Sequence, residues 1–189
     1  MYCMGDGWKN VRVTLETAAC DEKPRIVFDF LDNADDQSGD GAASVTITLE
    51  TVLPDITFPM VIDGGTRSYV VEGDGGKATR TTVGVILDGS KLSGSKAGLY
   101  LRADDVELRG IAIVGFSYNG VAVYGKRAKV QGEFRDNGEA GVRVWPAALD
   151  AFIGGGSSQL PTIIGGNANG IHCEASRLTV QGNVFIGVD

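Results

Sequence analysis

The chain is poor in several residues that usually announce a protein class. Among its 189 residues are one histidine, three cysteines, two tryptophans and five prolines. Cys3, Cys20 and Cys173 are too few and too scattered for a disulfide scaffold or a zinc site. A Cys3–Cys20 bridge stays open for an oxidising compartment, while Cys173, set in an apolar alternation, reads as a small core residue. Basic charge is also short: 17 Lys and Arg stand against 24 Asp and Glu, for a net charge of −7. Nucleic acid phosphates require clustered cations, so nucleic acid is not an expected partner. No apolar run approaches the ~18 residues of a membrane span, so membrane insertion is not expected either. The opening Met1-Tyr2-Cys3-Met4-Gly5-Asp6-Gly7-Trp8 has neither the basic start nor the apolar stretch of a signal peptide.

Glycine is what the chain has in quantity, at 28 residues, without the three-residue period of collagen. Its placement is nevertheless periodic. Four tetrads read glycine, apolar, any, apolar: Gly98-Leu99-Tyr100-Leu101, Gly120-Val121-Ala122-Val123, Gly141-Val142-Arg143-Val144 and Gly170-Ile171-His172-Cys173. They start 22, 21 and 29 residues apart, and the long interval holds a loop by composition, Gly154 to Pro161. A second motif follows the tetrads in Val106-Glu107-Leu108-Arg109-Gly110, Val130-Gln131-Gly132 and Leu178-Thr179-Val180-Gln181-Gly182. Asparagine recurs ahead of the next tetrad, at Asn119, Asn137 and Asn169.

A unit of this length, made of short alternating strands with Gly and Asn corners, predicts an all-β fold. The specific expectation is a right-handed parallel β-helix, a single-stranded solenoid whose strands stack at about 4.8 Å. Alternation predicts inward columns Leu99–Val121–Val142–Ile171, Leu101–Val123–Val144–Cys173 and Leu108–Val130–Val180. Val11 to Cys20 has apolar residues at 11, 15, 18 and 19, a helical stripe suited to a short N-terminal cap helix over the open end. Strands are expected at Ile26–Phe30, Val45–Leu49, Met60–Gly64 and Val83–Asp88, and a turn at Gly73–Lys77. The organisation predicted is a cap helix, first strand and acidic loop over residues 1–44, then stacked coils over 45–189. Because the last residues fall inside what reads as a coil, the array is expected to be truncated on that side.

Several segments resemble a family of large, mostly bacterial secreted right-handed β-helix proteins of the pectate-lyase-like superfamily. The residues that carry the resemblance are Ile47 to Gly64, with its Leu53-Pro54-Asp55-Ile56 and Val61-Ile62-Asp63-Gly64, then Val85-Ile86-Leu87-Asp88-Gly89-Ser90, Ile164-Gly165-Gly166-Asn167 and Val180 to Gly187. Leu15-Glu16-Thr17-Ala18-Ala19 stands where the family has a Ser-Leu-Arg-Glu-Ala-type helical segment, without its Cys-Ser-Leu-Arg lead. The resemblance implies an extracellular or cell-surface location and a scaffold that hosts many activities. Enzymes on it act on polysaccharides through outward side chains of one stacked sheet.

Three signatures of such enzymes are missing. The sole histidine, His172, lies in Gly170-Ile171-His172-Cys173-Glu174 rather than between glycines with nearby aspartates. Asp104-Asp105 after Arg102 is a thin match to a calcium-dependent lyase, and Tyr124-Gly125 leads to Lys126-Arg127-Ala128 instead of Asp-Pro-His. What remains is an outward stripe: Tyr100, Ala122, Arg143 and His172 in one row, then Arg102, Tyr124, Trp145 and Glu174 in the next. Tyr100, Arg102, Tyr124, Arg143 and Trp145 are the candidate ligand-binding residues, since aromatic rings and guanidinium groups suit sugar rings and uronate carboxylates. The alternative is a ladder that only steadies the sheet.

His172 and Glu174, with Arg143, are the candidates for acid–base chemistry, against a plain surface ion pair. Asp32, Asp35, Asp36 and Asp40 form a glycine-bearing acidic segment whose oxygens suit calcium, the only cofactor considered, against a solvated loop. The function expected is a surface module contacting polysaccharide or another surface partner. A polysaccharide lyase or hydrolase fragment and a structural adhesin stalk are the alternatives.

Overall fold

A computed structural model describes residues 11–16, 23–30, 44–73, 76–155, 161–182 and 184–187. The described residues are all-β with no helix, and most strands pair in parallel. The arrangement fits a β-solenoid. Strands β1 (Val11–Glu16) and β2 (Arg25–Phe30) run antiparallel, and β3 (Val45–Thr48) and β4 (Val61–Asp63) follow. A long antiparallel hairpin, β5 (Thr66–Gly73) and β6 (Gly76–Val83), precedes β7 (Val85–Asp88). The regular part alternates β8 (Leu99–Leu101), β9 (Glu107–Val114), β10 (Val121–Val123), β11 (Lys129–Arg135) and β12 (Ala140–Val144). It continues with β13 (Ala151–Gly154), β14 (Thr162–Gly165), β15 (Asn169–Cys173), β16 (Leu178–Gln181) and β17 (Val184–Ile186).

Among the described residues the predicted N-terminal cap helix is not seen: residues 11–16 are strand β1, and residues 17–20 lie outside the described residues. Val11-Arg12-Val13-Thr14-Leu15-Glu16 also alternates with period two, and its β-branched residues favour extended backbone. A partner decides the matter: all six residues pair with Arg25–Phe30, and β2 in turn lies parallel to β4.

Two sheets carry the repeat. The tetrads form a four-stranded parallel sheet in the order β15-β12-β10-β8, and the second motifs build an 11-stranded sheet around β9 and β11. Register follows the predicted columns, with Leu99↔Val121↔Val142↔Ile171 and Leu101↔Val123↔Val144↔Cys173. The third column runs Ile62–Leu108–Val130–Ile153–Val180, with Ile153 filling the place left vacant by the long interval. A fourth runs Ile47–Leu87–Ile113–Phe134–Ile164–Ile186. Each fully buried Val, Leu, Ile or Phe contributes roughly 1.5–3 kcal/mol, so these columns dominate cohesion. The last strands are less well covered: Val180 and Ile186 are 43% and 51% exposed. Cys173 is exposed too, not the core residue expected, because no strand among the described residues lies beyond β15 in its sheet.

Both interruptions of the repeat fall at one point. β9 and β11 each run unbroken through a bend at Gly110 or Gly132. The first half of β9 pairs with β4 and the second with β7, so the β5–β6 hairpin is inserted at that bend. Likewise β11 pairs with β13 and then β14, and connection 155–161 is inserted there. Gly110 is required at the bend: its φ is +65°, and a Cβ would lie 2.6 Å from the Gly65 carbonyl oxygen. The second corner uses asparagine. Buried Asn137 accepts from the Phe116 N–H and donates to the Ile113 carbonyl and the Asn167 Oδ1, while Asn167 donates to the Phe134 carbonyl. The ladder is thus Asn137–Asn167, whereas Asn169 is exposed on β15.

Asp63, at the end of β4, holds the first strands to the stack. Its Oδ2 accepts from Arg25 and Arg109 at 2.9 Å each, and its Oδ1 accepts the Gly65 N–H at 3.0 Å. Partial burial pushes its pKa up, but the hydrogen bonds from Arg109, Gly65 and Arg25 and the Arg109 charge outweigh burial and hold it below 3.8. A depressed folded pKa means stability that is complete above the unfolded value and lost as pH falls through the folded one. Asp63→Asn is therefore expected to flatten part of the acid limb. Urea midpoints at pH 6 and pH 3 should differ less in the variant than in the parent, and an equal difference would remove Asp63 from the acid response.

Candidate functional site

The four-stranded sheet turns alternate side chains away from the core, and its parallel register brings the predicted stripe together, with Tyr100, Arg143 and His172 half-buried and Ala122, expected outward, buried beneath its larger neighbours. Tyr100, Ala122, Arg143 and His172 lie in one row across β8, β10, β12 and β15. One step beyond the strand ends come Arg102, Tyr124, Trp145 and Glu174, held by Trp145 N–H to Val123 and Glu174 N–H to Val144 carbonyls. Tyr124 and Trp145 stack with centroids 5.2 Å apart and planes 11° from parallel. The Arg102 guanidinium carbon lies 4.0 Å from the Tyr124 centroid and 5.6 Å from that of Tyr100. Arg143 lies 4.1 Å from the Trp145 centroid and 6.0 Å from that of Tyr118. The result is a ladder of two guanidinium groups and two rings.

Every charge in the ladder is matched. Arg102 Nε donates to Asp55 at 2.8 Å, and this hydrogen bond raises the arginine pKa. Arg143 donates to Glu139 at 2.8 Å, to the Tyr118 hydroxyl at 2.9 Å and to Glu174 at 2.6 Å. Burial lowers the Arg143 pKa, but Glu174, Tyr118 and Glu139 together leave it raised. His172 Nε2 lies 3.5 Å from the same Glu174 oxygen. Arg143, Glu174 and His172 are thus contiguous, and the Glu174 carboxylate is engaged by the arginine at shorter range than by the histidine. Tyr118, Glu139 and Asp55 complete the site and were not among the predicted residues. They stand on corners and on the irregular segment before β4, where period-two alternation gives no signal.

The geometry restricts how the ladder meets a ligand. Tyr124 and Trp145 cover each other, and Arg102 and Arg143 lie against the same rings. The rings offer edges where a sugar platform offers open faces. What the surface presents instead is a pair of guanidinium–carboxylate clusters, Arg102 with Asp55 and Arg143 with Glu139 and Glu174.

The acidic segment with Asp32, Asp35, Asp36 and Asp40 lies outside the described residues, as do Cys3 and Cys20. Among the described residues no group of three or more His, Cys, Asp or Glu is placed to hold a metal ion. No helix among them is long and apolar enough to cross a membrane. Fold and site together define a class, an all-β protein of mostly parallel stacked strands with a half-buried ladder of aromatic rings and ion pairs. Comparison with protein-family models, with curated proteins and with solved structures gives no match.

Proposed function

We propose that the chain is a right-handed parallel β-helix of the pectate-lyase-like kind, acting as a secreted or cell-surface module that contacts polysaccharide through the Arg102–Tyr124–Trp145–Arg143 ladder. The observation that carries this reading is the ladder itself: two rings and two guanidinium groups stacked at 4.0–5.2 Å on one sheet face, Arg102 exposed and the others half-buried, with Asp55, Glu139 and Glu174 alongside. Strands repeat at about 4.8 Å, so a sugar chain lying along the stack meets a new set of donors and acceptors at each strand. The test is affinity electrophoresis through gels holding neutral or acidic polysaccharides. The parent chain should be retarded, and Tyr124→Ala/Trp145→Ala should lose at least tenfold in affinity with its urea midpoint nearly kept. Cross-strand pairs of this kind stabilise by about 0.2–1 kcal/mol each, so folding should survive. Equal retardation of the double variant would sink the reading and leave a ladder that only braces the sheet.

The contiguity of Arg143, Glu174 and His172 favours a second reading, a polysaccharide lyase or hydrolase. Mass spectrometry separates the two. Fragments lighter by one water than hydrolytic products would mark a lyase, and intact polymer would leave the binding module.

A further inference from the structure

The 11-stranded sheet has its own exposed face, in a different sheet from the ladder. There the first halves of β9, β11 and β13 lie side by side, with Glu107, Lys129 and Phe152 in register. The next positions along the same strands are Arg109, Gln131 at the irregularity between Val130 and Gly132, and buried Gly154. These residues, with Leu108 and Gly155, line a cleft of about 470 Å³. That volume falls within the ~300–1,000 Å³ usual for small-molecule sites.

Charge pairing across this face is uneven. Glu107 stands directly across from Lys129 in register, yet its carboxylate accepts from Arg109 at 2.9 Å. Arg109 turns its remaining donors to Asp63, which Arg25 also serves. The carboxylates are thus committed to arginines, and the exposed Lys129 side chain has no hydrogen bond or ion pair among the described residues. On its other side in the same row stands Phe152, half-buried, with its edge against Gly155: a Cβ there would lie 2.8 Å from Phe152 Cε1. An ammonium without a hydrogen-bonded counter-charge thus sits one strand from an aromatic ring, in one cleft.

From this juxtaposition we infer that the cleft binds a monocyclic carboxylate, its anionic group on Lys129 Nζ and its ring against Phe152. Gln131 and the Glu107–Arg109 pair line the remainder and suit hydroxyl groups. A sugar acid and an aromatic acid share this chemistry, and the experiment distinguishes them. The site uses no residue of the ladder, so either can fail without the other.

The test is an NMR titration of the ¹⁵N-labelled full chain with glucuronate, with benzoate and with glucose as the neutral ring. A carboxylate is expected to give saturable, millimolar shifts at residues 107–109, 129–131 and 152–155. Lys129→Gln should weaken that binding about tenfold, the ordinary worth of one charge-assisted hydrogen bond. Lys126→Gln, which changes net charge equally at an exposed corner, should leave it unchanged, and both variants should fold, since both lysines are exposed. Stronger glucuronate binding identifies a sugar acid, and stronger benzoate binding an aromatic one. The inference is overturned if glucose binds as well as both acids, if Lys129→Gln binds like the parent, or if neither acid saturates by roughly 100 mM.

Discussion

Phe134→Ala is expected to lower the unfolding free energy by about 3–5 kcal/mol, the cost of removing a buried aromatic side chain from a site that collapses only in part. Phe134 is fully buried in the middle of the Ile47–Leu87–Ile113–Phe134–Ile164–Ile186 column, with Ile113 and Ile164 above and below it. In stacked repeats each unit leans only on its neighbours, so a hole here weakens both interfaces of one strand. Ile186→Ala in the same column is the internal comparison. That side chain is 51% exposed, and truncating it should cost well under half as much. Urea denaturation of the three proteins reads the contrast directly. Similar losses at 134 and 186 would mean that something covers the β17 end in solution.

Asn137→Ala is expected to cost about 2–4 kcal/mol, although it removes only an amide. The side chain is buried and makes three hydrogen bonds: from the Phe116 N–H at 3.1 Å, to the Ile113 carbonyl at 3.2 Å and to Asn167 Oδ1 at 3.0 Å. Each net bond stabilises by ~1 kcal/mol, and each buried group left unpaired costs ~1–3 kcal/mol more. Space reinforces the point. A Cβ at Gly120 would approach Asn137 Nδ2 to 2.9 Å, and one at Gly141 would approach Asn167 Nδ2 to 3.0 Å, so both asparagines occupy room their glycines vacate. Asn137→Asp is the sharper variant. A carboxylate would face two oxygen acceptors in a buried place, so it should destabilise more than alanine at neutral pH and recover partly in acid. An aspartate variant as stable as the parent would rule out the donor role assigned to Nδ2.

Much of the molecule was legible from residue order. Period-two alternation sorts side chains to two faces, and a near-constant repeat length brings equivalent positions opposite one another. Those two facts suffice to place Val121 between Leu99 and Val142, and Tyr124 beside Trp145. Glycine and asparagine at corners are equally local, since they answer to φ and to nearby backbone groups.

Other features depended on partners remote in the chain. The segment at 11–16 satisfies a helical and an extended pattern alike, and pairing with residues 25–30 selects the second. Cys173 has the alternation of a core residue, but burial needs another strand over β15. The cleft residues Glu107, Arg109, Lys129 and Phe152 carry no signal in residue order that sets them apart from other strand positions. Their significance comes from Arg109 taking both Asp63 and Glu107, and that choice of partners leaves Lys129 unmatched. Alternation and repeat length act within a coil and determine register, and with it which residues share a column. Which charge meets which, and which surfaces stay open, are settled by long side chains reaching between strands that only the tertiary structure brings together.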